Sequence, residues 1–232
     1  MVMNDRKQQL LSLLVENYIK TAEPIGSRFL LSFGNLDIGE ATVRNDLRAL
    51  EEEGYLTHPH TSAGRIPTEK GYRFYLENLR MEKAKLTQKE NDILGMLFDD
   101  KKQDYKQTYK GVAKEMAEIS ELAAMFVFSE NLVYYTGLAN LFSQPEFKEL
   151  ALVASVSEVF DHCDECLEDF FSLVDENTKI YVGDENPFGD RMSIVASKFA
   201  GRDAEGLLML VGPLRQNYKK NFAIINRIKE II

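Results

Sequence analysis

The fold class this sequence predicts is α+β. A helical front third closes on a short hairpin, and a larger rear part packs helices on a mainly antiparallel sheet. Three observations predict it. Apolar residues recur at helical spacing through the first fifty positions. Gly54 then stops a helix and an apolar strand begins at once. Beyond residue 120, short runs rich in Val, Ile, Phe and Tyr alternate with amphipathic helical stretches.

The front part reads as follows. Asp5 to Lys20 carries Leu10, Leu13, Leu14 and Tyr18 on one stripe. Pro24 and Gly26 break it, and Ser27 caps a short helix to about Ser32. Phe33-Gly34-Asn35 is a turn. A third helix spans about Gly39 to Glu53, with Val43, Leu47 and Leu50 as its buried stripe. Thr42, Arg44, Asn45 and Arg48 are left on or near its open side. Tyr55-Leu56-Thr57 starts a strand, His58 to Arg65 is a loop, and Ile66 returns as the second strand. Pro67 or Thr68 opens a fourth helix to about Lys83, striped by Tyr72, Tyr75, Leu76 and Leu79.

The polar run Met81 to Glu90 marks a boundary. The expected division is a winged-helix domain over 1–83, a linker or connecting helix over 84–104, and a second domain over 105–232. In the second domain a helix is expected over Tyr105–Ala124, with a mainly helical stretch over Pro145–Val174. Strands are expected at Met125–Ser129, Leu132–Thr136, Lys179–Val182, Met192–Phe199 and Gly206–Val211. Tyr218–Ile232 closes as an amphipathic helix through Phe222, Ile225, Ile228 and Ile232.

Composition bounds the function. The chain has 232 residues and is 44% hydrophobic, enough for two modest cores. No apolar run approaches the ~20 residues of a membrane span. The start, MVMNDRKQQLL, lacks a signal-peptide core, so a cytoplasmic location with no membrane contact is expected. Net charge is −9, at first sight wrong for nucleic acid. The charge is uneven, however. Residues 1–80 hold 10 Lys+Arg against 11 Asp+Glu, and the remainder hold 18 against 26. The front acids cluster at Glu51, Glu52 and Glu53, leaving Arg28, Arg44, Arg48, Arg65 and Arg73 free to form one basic face.

The order helix, short helix, basic helix, strand, small-residue loop, strand is that of a winged helix-turn-helix, and its partner class is double-stranded DNA. Arg44, Asn45 and Arg48 have the chemistry for paired hydrogen bonds to base edges in the major groove. Thr42 and Ser27 suit phosphates. His60, Thr61, Ser62 and Arg65 suit the backbone or minor groove from the wing. The bland alternative for each is a solvated helix face or a plain hairpin loop, and it is their succession along the chain that favours DNA.

Other motifs read as structure. His162-Cys163-x-x-Cys166 lacks the second ligand pair a zinc site needs, and reduced thiols packed on a helix are expected. Asp161, Asp164, Glu165, Glu168 and Asp169 form one acidic helix face. Asp184 to Gly189 is a turn between strands. No phosphate loop, dinucleotide fingerprint or nucleophile elbow occurs, so the chain is not expected to be an enzyme or to use a cofactor or metal.

EPIGSR (Glu23–Arg28), ATVRNDLRALEEEGYL (Ala41–Leu56) and HTSAGRIPTEKGYRFY (His60–Tyr75) resemble the heat-inducible transcription repressor family HrcA. GLANLFSQPEFKEL (Gly137–Leu150), YVGDENPF (Tyr181–Phe188) and GLLMLVGPLRQNYKK (Gly206–Lys220) are similar to its C-terminal region. The resemblance implies a GAF-like second domain and a homodimeric repressor of chaperone genes. It also implies an inverted-repeat operator, CIRCE, and a GroEL-type chaperonin that maintains activity. Members are longer, and the stretch absent here falls between Leu122–Ser129 and Leu132–Leu141. A dimer through residues 90–232 is still expected, because a palindrome links two half-sites. A second class stays open: a small-molecule-responsive regulator whose effector binds near Tyr134, Tyr135 or Asn186.

Overall fold

The computed structural model describes residues 3–33, 38–60, 63–97, 105–128, 132–201 and 204–232. They form two compact units, Met1–Leu79 and Arg80–Ile232.

In the first unit, α1 spans Asp5–Thr21. The Asn4 side chain caps it by accepting the Lys7 N–H at 2.9 Å, and the left-handed Ala22 ends it. Its buried side is Leu10, Leu11, Leu14 and Val15. The expected stripe is therefore rotated: Leu13 and Tyr18 are only half-buried, because three helices and the strand at Ile66–Pro67 pack on α1. The next helices are α2 (Ser27–Phe33) and α3 (Glu40–Glu52). Val43, Leu47 and Leu50 are buried on α3 as expected, and Asp46 joins them.

Strands β1 (Leu56–Thr57) and β2 (Ile66–Pro67) pair antiparallel, Leu56 opposite Pro67 and Thr57 opposite Ile66. Pro67 thus ends a strand, and Thr68 caps α4 (Glu69–Glu77) through the Gly71 N–H at 3.2 Å. This helix stops at Glu77, not at Lys83. Asn78 adopts the cap, and Met81–Lys83 is a separate 3-10 turn. Gly71 is required where it stands. A β-carbon there would lie 2.3 Å from the Tyr55 carbonyl oxygen.

The second unit holds α5 (Gln88–Met96), α6 (Tyr105–Ser120), α7 (Leu138–Phe142), α8 (Leu150–Asp161), α9 (Cys163–Cys166), α10 (Glu168–Leu173) and α11 (Tyr218–Ile231). Its strands are β3 (Ala123–Phe128), β4 (Val133–Thr136), β5 (Lys179–Val182), β6 (Met192–Ala200) and β7 (Glu205–Pro213). They form one antiparallel sheet in the order β4-β3-β7-β6-β5. Alternate side chains feed two cores. Ala123, Met125, Ile194, Met209 and Val211 meet α8–α10 through Val156, Phe160, Leu167 and Phe170. On the other face Phe126, Phe128 and Phe199 surround Tyr109 of α6, with ring centroids 5.2–5.6 Å from the tyrosine.

All five expected strands are present, and three helical expectations change. The helix from Tyr105 stops at Ser120, since Glu121 turns left-handed and the apolar Ala123–Ala124 enter β3. The stretch 145–174 is broken at His162 and Leu167 into three short helices after a 3-10 turn. The segment 88–96, read as a connector, packs on α6 and α11 inside the second unit, with Glu90 bound to Lys220 at 2.8 Å.

Candidate nucleic-acid interface

The candidate interface is built on α3. Its open face is Ala41, Arg44, Asn45 and Arg48, all exposed, at the i, i+3, i+4, i+7 spacing of one helical side. Its opposite face is fixed. Arg6 of α1 donates to both Asp46 carboxylate oxygens, at 2.6 and 3.0 Å, and Asp46 lies buried between Val43 and Leu50. The three side chains expected to read bases are thus held together and outward. Thr42 is half-buried beside them.

The arginines are not free, contrary to the sequence expectation. Arg44 donates to Glu40 at 2.6 Å, and Arg28 reaches the same carboxylate at 3.4 Å. Arg48 binds Glu52 at 3.0 Å, Arg65 binds Glu51 at 2.8 Å and Arg73 binds Glu69. The acids at 51–53 therefore serve as counterions. Glu51 and Glu52 hold wing and helix cations, and Glu53 takes Lys7 at 2.7 Å. Partial burial opposes ionisation of Glu40, but Arg44 and then Arg28 outweigh it and hold its carboxyl below the usual range. Arg28, Arg44 and Arg48 remain 84, 62 and 77% exposed. Such exposed pairs are screened by solvent and contribute little, so phosphate or base edges can displace the carboxylates at little cost.

Ser27, at the start of α2, is half-buried and lies 3.4 Å from both Arg44 and Glu40. It orients Arg44 as much as it faces outward. Sequence reasoning put Arg28 on the basic face but not among the residues contacting DNA; its place one step after the start of α2, beside Ser27, brings it to the Glu40 carboxylate.

The wing joins α3 at its base. Backbone groups of Ile25 and Arg65 bridge in both directions at 2.9 and 2.8 Å, adding a third strand-like segment beside β2. Gly64 permits this, since a β-carbon there would lie 2.6 Å from Ile25 backbone. Glu51 accepts from both Arg65 and His58, which sequence reasoning also passed over. Partial burial opposes ionisation of Glu51, but the hydrogen bond from His58 and the charge of Arg65 keep its carboxyl below the usual range. His60 is exposed, and its carbonyl accepts the Ala63 N–H at 2.9 Å. Thr61 and Ser62, also expected on the wing, lie outside the described residues.

Of the three residues considered for an effector, Asn186 and Tyr135 are engaged in packing of the second unit. Asn186 is buried, donating to Gly183 and Met192 carbonyls at 2.7 and 3.1 Å and accepting the Phe188 N–H at 2.9 Å. Tyr135 packs on Phe160. Cys163 is buried in the core and Cys166 is exposed, and no cluster among the described residues could hold a metal. Among those residues, no helix is long and apolar enough to cross a membrane.

Fold and site together define a winged-helix protein carrying a GAF-like α+β domain. The family described as HrcA protein C terminal domain matches residues 75–221, and the ribonuclease R winged-helix domain matches residues 16–74. The chain belongs to the HrcA family. It is similar to the heat-inducible transcription repressor HrcA of Acetivibrio thermocellus, 42% identical over 130 residues, which is 56% of this chain and 37% of that relative. The matched stretch thus spans little more than a third of that relative's length. The HrcA of Halalkalibacterium halodurans aligns over 332 positions at 23% identity, covering 99% of this chain and 96% of its own. A solved chain described as a hypothetical protein superposes with a TM-score of 0.80 at 21% identity, covering 99% and 98% of the two chains, and so shares the fold.

Proposed function

We propose that the chain is a sequence-specific repressor of heat-shock genes that binds duplex DNA and is not an enzyme. One observation carries this: Arg44, Asn45 and Arg48 stand outward on one side of α3, with its other side fixed by Arg6 and Asp46. In this reading α3 enters the major groove, Arg44, Asn45 and Arg48 read bases, Ser27 and Thr42 hold phosphates, and His60, Thr61, Ser62 and Arg65 contact the backbone or minor groove from the wing. The front 83 residues bind DNA and the GAF-like domain dimerises and regulates. The operator is a CIRCE-type inverted repeat, bound as a dimer, with a GroEL-type chaperonin as the regulating partner. The repressor names of the relatives support this reading.

The test is fluorescence-anisotropy binding to a duplex carrying the repeat, beside a scrambled duplex, over a salt series. Preferential binding to the repeat, weakened by ~1–3 kcal/mol in Arg44→Ala, is expected. Equal, strongly salt-dependent binding to both duplexes would mean that only phosphates are read.

A further inference from the structure

We propose that Glu51 is a positioning residue that clips both legs of the wing to α3, so that its negative charge strengthens DNA binding. This rests on the DNA-binding reading above. The wing's own ladder is only two residue pairs, Leu56–Pro67 and Thr57–Ile66. A two-stranded ribbon that short does not fix its own orientation. The chain leaves the ladder at His58 and re-enters it from Arg65. Those two residues are the ones Glu51 holds: one carboxylate oxygen takes His58 Nδ1, and the other accepts Arg65 Nε at 2.8 Å.

Glu51 itself sits in the last turn of α3, three residues beyond Arg48. A single carboxylate therefore ties the descending leg, the returning leg and the helix into one body. The Ile25 bridge holds Arg65 from the other side. The terminal nitrogens of Arg65 have no other hydrogen bond among the described residues, so the same guanidinium can brace the wing and still meet a phosphate.

The inference makes a prediction opposite in sign to simple electrostatics. Near a phosphate backbone, removing a carboxylate reduces repulsion and should tighten binding. If Glu51 positions the wing, its removal loosens binding instead. The experiment compares the full chain with Glu51→Gln and His58→Ala on the repeat and scrambled duplexes, over a salt series, with melting temperatures alongside. Expected are a loss of about fivefold or more in affinity for the repeat in Glu51→Gln, a smaller loss in His58→Ala, and a shallower salt slope as wing–phosphate contacts are lost. The melting temperatures should change little. Adding Glu51→Gln to a His58→Ala/Arg65→Ala background should then have no further effect, because both groups it holds are gone. Unchanged or tighter binding by Glu51→Gln, with the wild type still preferring the repeat, would overturn the inference and leave the DNA-binding reading standing. An affinity loss that tracks a lowered melting temperature, with the salt slope unchanged, would also overturn it. Failure of the wild type to bind either duplex would defeat the underlying reading.

Discussion

Arg6 and Asp46 are joined by a two-pronged ion pair, with Arg6 Nε and a terminal nitrogen 2.6 and 3.0 Å from the two carboxylate oxygens. The pair locks the buried side of α3 against α1, and so determines which residues of α3 face outward. The Arg6 guanidinium bound to Asp46 is pushed above its usual range, as expected for a charge satisfied by hydrogen bonding.

Arg6→Ala should leave a buried carboxylate without its partner and destabilise the first unit by about 1–3 kcal/mol. Asp46→Asn should cost less, because an amide can still accept one bond from Arg6. Urea unfolding of the full chain, with amide exchange read in α1 and α3, checks both the size and the order.

Gly64→Ala places a β-carbon where Ile25 and Pro24 backbone atoms lie 2.6–2.7 Å away. Backbone cannot yield as a flexible side chain can, so the Ile25–Arg65 bridge should open. The expected cost is about 2 kcal/mol of local stability. Faster exchange of the Ile25 and Arg65 amides, with amides in the second unit unaffected, is the result to look for.

Glu90 gives a pH-dependent contribution with a definite sign. Partial burial opposes its ionisation, but Lys220 and the Thr87 backbone and hydroxyl overcome this and lower its pKa from 4.5 to about 2. A depressed carboxylate stabilises the fold at pH values above its unfolded pKa, and that stability is lost as pH falls through the folded value. Glu90→Gln should therefore be less stable than wild type at pH 7, by about 1 kcal/mol. The difference should shrink below pH 4.5 and vanish near pH 2. Thermal melts of both proteins across that range decide it.

Asn186→Ala removes three hydrogen bonds made in a buried turn: two donated to Gly183 and Met192, and one accepted from Phe188. The Gly183 carbonyl keeps the Asn186 backbone N–H at 3.1 Å, so the loss falls on the buried Phe188 N–H and the Met192 carbonyl and should cost about 1–3 kcal/mol. A shift of that size in chemical denaturation would identify Asn186 as structural. A neutral substitution would return it to the candidates for a ligand site.

Much of the candidate site was legible because local chemistry encodes it. Gly54, with φ of 80°, ends α3 as its place after a charged turn foretold. Thr68 caps α4, and Val43, Leu47 and Leu50 turn inward. The strands of the second unit could be read from β-branched and aromatic runs, because a sheet covered on both faces writes continuous apolar segments. Asp46 could not be read as buried, since a carboxylate on a helix reads as solvent-facing until its partner forty residues away is known. The same holds for the run 51–53. In sequence it is an acidic stop to a helix, while in the structure it supplies counterions to Lys7, Arg48 and Arg65 and a hydrogen-bond partner to His58.

By itself the sequence determined the buried stripe of α3, the Gly54 stop and the Thr68 cap beside it, the inventory of strands in the second unit, and the resemblance to HrcA. These depend on residues within a few positions of one another, where spacing fixes which side chains share a face. Only the tertiary structure decided how α1 is rotated, where the stretch 145–174 breaks, and that Cys163 is core. It also decided which acid neutralises which arginine. Those outcomes depend on the side chains that packing brings together from distant parts of the chain, and no local periodicity records them.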